Sequence, residues 1–85
     1  MIVRGRVQGV GFRAHTRWVA RELGIAGEVW NRRDGSVELV AQHADPAILS
    51  ELAARLRFGP GRVDAVDVMD NPEIAASSFE VGHTR

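Results

Sequence analysis

Hydrophobic and polar positions change period several times along the 85 residues, and each change predicts an element. Over residues 1–8, Val3 and Val7 fall on one side and Arg4 and Arg6 on the other, which predicts a first strand with one polar face. From Arg13 to Leu23 the period lengthens. Phe12, Thr16, Val19, Ala20 and Leu23 recur at helical spacing and define one apolar face, with Trp18 at its border as a packing residue. Arg17 and Arg21 belong to a solvated face, and Gly24 ends the helix as a left-handed cap. Ile25 to Asn31 returns to alternation, with Gly27, Val29 and Asn31 opposed to Glu28 and Trp30. Arg32-Arg33-Asp34-Gly35 carries the Asp-Gly hairpin signal. A third strand follows over Ser36 to Gln42, with Val37, Leu39 and Ala41 facing the core. Asp45 and Pro46 are an N-cap and first helical residue, opening a second helix whose stripe is Ile48, Leu49, Leu52 and Leu56. Arg55 and Arg57 suit its C-terminal end, and Gly59-Pro60-Gly61 stops it. Arg62 to Asp70 reads as a fourth strand. Val63, Val66 and Val68 do not share a parity there, which predicts a bulge near Asp64-Ala65. Asn71 to Ser77 reads as a loop, Phe79 and Val81 as a short last strand, and His83-Thr84-Arg85 as a tail.

The order β-α-β-β-α-β predicts an α+β, ferredoxin-like split βαβ sandwich, with two helices on one face of an antiparallel sheet. Residues 1–85 are expected to form a single domain. That fold hosts many functions, so function must come from a site. Composition narrows the classes. There is no cysteine, which removes disulfides, zinc-thiolate sites and thiol catalysis. Formal net charge is zero, with eleven basic residues that are all arginine, so no cationic surplus marks a nucleic-acid binder. No apolar run is long enough to span a membrane, and the first residues lack the pattern of a signal peptide. The expectation is a cytoplasmic monomer acting on a small molecule, with no nucleic-acid or membrane partner. His15, His43 and His83 are scattered, so no metal site and no cofactor are expected.

The candidate chemistry lies in Gly5-Arg6-Val7-Gln8-Gly9-Val10-Gly11-Phe12-Arg13, a strand end, a glycine turn and a helix start. Gly9 and Gly11 let the backbone reach positive φ and approach a ligand, and successive N–H groups in such a turn can form an anion nest. The helix start adds unpaired N–H groups and the positive end of its dipole. Arg13 adds a planar fork suited to two oxygens of a phosphate or carboxylate. Gln8, Gly9, Val10, Gly11, Phe12 and Arg13 are therefore the candidate phosphate-binding residues. Taken separately, the turn reads equally as a connector and the arginine as a solvated side chain. Gly9 to Ala14 also fits the G-x-G-x-x-A dinucleotide fingerprint, but the second strand runs into an Asp-Gly turn instead of closing a parallel βαβ unit. Asn31, at the end of the second strand, reads locally as a turn former.

The nine-residue stretch resembles the first signature of the acylphosphatase family, a G-x-V-Q-G-V-x-F-R segment that closes on substrate phosphate. Gly27-Glu28-Val29-Trp30-Asn31-Arg32-Arg33-Asp34-Gly35-Ser36-Val37 resembles its second. The resemblance extends over nearly the whole chain. It implies hydrolysis of acyl phosphates to carboxylate and inorganic phosphate, with catalytic residues Arg13, on the phosphoryl group, and Asn31, which positions the attacking water. At 85 residues a stand-alone enzyme is expected, not the first domain of a carbamoyl-transferring maturation protein. Glu28, Trp30, His43 and His15 depart from the family's usual residues, which bears on substrate preference. The alternative from another class is a non-catalytic anion-binding or regulatory domain of the same fold. An RNA-binding module would need aromatics on the central strands, and only Trp30 is available.

Overall fold

The computed structural model describes residues 1–69 and 76–85. Its elements are β1 (Ile2–Arg6), α1 (Phe12–Glu22), β2 (Ala26–Asn31), β3 (Val37–Gln42), α2 (Pro46–Leu56), β4 (Arg62–Asp67) and β5 (Phe79–Val81). Each begins or ends within a few residues of its predicted limits. The loop predicted over Asn71 to Ser77 lies, apart from Ala76 and Ser77, outside the described residues.

The sheet order is β4-β1-β3-β2-β5. β1 and β2 both pair antiparallel with β3, so they run parallel to one another on either side of it. This is the expected ferredoxin-like arrangement with one amendment. β5 joins the edge beside β2 in parallel, so the five-stranded sheet is mixed. The predicted bulge is present. Arg4 pairs with Ala65 and Gly5 with Val63, leaving Asp64 unmatched. The extra residue puts Val63 and Val66 on the same face, which resolves their broken parity.

One core lies between the sheet and both helices. Val3, Val29, Val37, Leu39 and Phe79 from the strands, and Val7 just after β1, meet Phe12, Val19, Ala20, Leu52 and Leu56 from the helices. Burying side chains of this size stabilises the fold by roughly 1.5–3 kcal/mol each. α1 ends in a Schellman motif, in which the Ile25 N–H donates to the Ala20 carbonyl and the Gly24 N–H to that of Arg21.

Trp18 departs from its predicted packing role. It is 59% exposed, with the Arg55 guanidinium 5.8 Å from its ring centre. At about 100° per residue, Trp18 falls on the far side of α1 from the Phe12–Thr16–Val19 stripe, so its ring cannot turn under. Trp30 takes the opposite course. It lies on the sheet face away from the helices yet is only 7% exposed.

The parallel arrangement of β1 and β2 fixes the functional geometry. The β1-to-α1 loop and the β2–β3 hairpin emerge at the same end of the sheet. Gln8 joins them: its carboxamide nitrogen donates to the Arg32 carbonyl at 2.6 Å and the Ser36 carbonyl at 2.9 Å.

Candidate active site

The β1-to-α1 loop turns through Gly9 at φ +74° and Gly11 at φ +81°. A Cβ at either position would meet no other atom within 4 Å. Backbone conformation, not crowding, is thus what requires glycine here. Gly11 is the N-cap of α1, and its carbonyl accepts the first helical N–H, that of His15. Phe12, Arg13 and Ala14 occupy the first turn, where N–H groups have no intrahelical acceptor. Gly11 makes no side-chain cap, and the first turn holds no acidic residue. Arg13 in that turn adds a positive charge to the positive end of the dipole. That arrangement is unfavourable alone and favourable once an anion is bound.

These groups border a cavity of about 200 Å³, lined by Val7, Gly9, Gly11, Phe12, Arg13, Ala14, Asn31 and Val81. A water molecule's share of liquid volume is about 30 Å³, so a phosphoryl group and a water fit together. None of the lining residues is acidic. Arg13 is half-buried, and its Nη1 donates to the Gly82 carbonyl at 3.1 Å. That contact fixes one edge of the guanidinium and leaves other N–H groups for a ligand. Asn31 reaches the cavity from β2. Its Oδ1 is buried and has no hydrogen-bond partner among the described residues. A buried acceptor left unpaired costs on the order of 1–3 kcal/mol, so the Asn31 carboxamide is held at the cavity wall with its hydrogen bonding incomplete.

Gly9, Gly11, Phe12, Arg13 and Asn31 are thus brought to one cavity. Gln8 and Val10 do not line it. The Gln8 carboxamide is engaged with the hairpin. Val10 sits in the glycine turn with 36% of its surface exposed. The hairpin is braced by Asp34, whose Oδ1 accepts from both the hydroxyl and the N–H of Ser36. The hydroxyl bond, then the N–H bond, hold the Asp34 pKa below the usual carboxylate value. Val81 and the Gly82 carbonyl were not among the sequence candidates. The chain brings them there only because β5 lies beside β2, a placement that a three-residue strand does not announce.

The family model described as acylphosphatase matches residues 1–81. The chain belongs to the acylphosphatase family. It is 55% identical over 78 residues to the acylphosphatase of Nitrobacter hamburgensis, covering 88% of this chain and 75% of that one. It is 52% identical over 80 residues to the acylphosphatase of Rhizorhabdus wittichii, covering 91% and 79%. The crystal structure of acylphosphatase from Bacillus subtilis superposes with a TM-score of 0.89 at 32% identity, covering 95% of this chain and 92% of the other. No helix among the described residues is long and apolar enough to cross a membrane. No group of three or more His, Asp or Glu side chains gathers among them in a way that could hold a metal ion.

Proposed function

We propose that this acylphosphatase-family chain hydrolyses the carboxyl–phosphate bond of acyl phosphates, with the phosphoryl group on the Gly9–Arg13 loop and the attacking water on Asn31. The observation that carries the reading is the shared cavity. It joins a positive-φ glycine turn, an uncapped helix start and a cation to the Asn31 carboxamide.

The chemistry asks little beyond this. The leaving group is a carboxylate, a weak base that departs without a proton donor. The water oxygen forms a bond to phosphorus as the phosphorus–oxygen bond to the acyl group breaks. The bonding pair leaves with the carboxylate, and the water's proton passes to solvent or product phosphate. What speeds such a step is stabilising charge on the transferring oxygens and placing the water in line. The N–H groups of Gly9 to Phe12 and the Arg13 fork supply the first. Asn31 supplies the second: its carboxamide, with one acceptor and two donors, hydrogen-bonds the water and sets its orientation toward phosphorus. The reading also takes the chain as a cytoplasmic monomer acting on a small molecule.

Purified protein incubated with benzoyl phosphate in excess chelator should release inorganic phosphate catalytically. Saturable phosphate binding without turnover would instead make the chain an anion-binding domain.

A further inference from the structure

The segment that follows β5 reaches both candidate catalytic residues. The Gly82 N–H donates to the Val29 carbonyl at 2.8 Å, continuing the parallel ladder with β2. Farther on, the Arg85 N–H donates to the Asn31 carbonyl at 2.8 Å, and the Arg85 main-chain oxygen accepts from the Arg33 N–H at 3.1 Å. Between these contacts the segment advances three residues while β2 advances two. It is therefore out of step with the ladder, and the Gly82 carbonyl accepts the Arg13 guanidinium.

Besides these main-chain bonds, side chains on the other face of the sheet hold the segment. The Arg85 guanidinium sits 4.1 Å from the centre of the Trp30 ring, and its Nη2 donates to Glu28 Oε1 at 2.6 Å. The Glu28 carboxylate also packs on Gly82, where an added Cβ would lie 2.6 Å from its Oε2. Glu28 stands opposite Glu80 in the β2–β5 pairing. Two carboxylates so placed repel each other. Arg85 on Glu28 and Arg21 on Glu80 offset that repulsion. Without the Arg85 side chain, the Glu28 charge would face Glu80 uncompensated on its own side, directly beside Gly82, whose carbonyl aligns Arg13.

We propose that Arg85, seated on Trp30 and paired with Glu28, is a positioning residue that holds the Gly82 carbonyl where it orients Arg13. The inference rests on the assignment of Arg13 to the phosphoryl group. Its physical basis is preorganisation: a stacked guanidinium on one face of the sheet fixes a main-chain acceptor, which fixes a second guanidinium on the other.

A double-mutant cycle tests it. Arg85→Ala should lower kcat/KM for benzoyl phosphate about tenfold, with circular dichroism unchanged. Arg85→Lys, which keeps the charge facing Glu28, should recover most of that loss. In the Arg13→Ala background the Arg85→Ala change should have no further effect, because nothing remains to be oriented. An equal loss in both backgrounds, or no loss in either, overturns the proposal. The Arg13 guanidinium proton–nitrogen signals in the NMR spectrum give a reading independent of activity. They should exchange with water faster in Arg85→Ala than in the parent, and unchanged exchange also overturns it. If Arg13→Ala keeps full activity, the site assignment fails. The NMR result alone then decides whether Arg85 orients Arg13.

Discussion

α2 starts with Asp45, whose carboxylate accepts the Ala47 N–H at 2.9 Å, and with Pro46, which has no N–H to satisfy. α1 starts with Gly11, which offers no side chain, and carries Arg13 where an acidic residue would suit the dipole. Both helices span eleven residues and both pack on the same sheet. A side-chain cap contributes about 1 kcal/mol, and α1 does without one. The difference separates a helix start satisfied within its own chain from one whose donors and charge suit a guest. Local stability is conceded at α1 and kept at α2, which is what a binding site on one of two otherwise similar helices requires.

The largest effect is expected from Arg13→Ala. It should lower turnover of benzoyl phosphate by roughly a hundredfold or more, by analogy with removing one preorganised donor from a developing oxyanion, while circular dichroism stays unchanged. Near-parental turnover would return Arg13 to the role of a solvated first-turn residue. Asn31→Ala should cost less, about tenfold in kcat with KM little changed, because water is then aimed less well while phosphate is still held. A rise in KM without loss of kcat would argue for a binding role instead. The smallest effect belongs to α2. Asp45→Ala should lower stability by about 1 kcal/mol in a denaturant titration and leave kcat/KM untouched. A loss of activity there would mean that the two helix starts are not separate in function.

Much of this was legible in the residues because local chemistry and global fold agree. Asp45-Pro46, Gly24 and Asp34-Gly35 placed boundaries that the structure keeps. The broken parity of Val63 and Val66 gave the bulge before any pairing was known. Gly9, Gly11, Arg13 and Asn31 were legible as candidates, and the parallel placement of β1 and β2 explains why they share a cavity. Other features depend on contacts far apart in sequence, for which local pattern holds no signal. Phe79 and Val81 suggested a strand but not its parallel partner. His83-Thr84-Arg85 read as a tail because no periodicity reveals its main-chain bonds to Asn31 and Arg33. Trp18 departs from the pattern for a simpler reason: its hydrophobicity suggests burial, while its angular position on the helix turns it to solvent.

A titration of isotope-labelled protein with inorganic phosphate, followed by amide NMR, shows whether an anion settles at the start of α1 and not at that of α2. Saturable shifts should be largest at the main-chain N–H groups of residues 9–14, the Arg13 guanidinium and the Asn31 carboxamide, with residues 45–48 at the start of α2 unmoved. Equal shifts at both helix starts, or none at residues 9–14, would contradict that placement of the site.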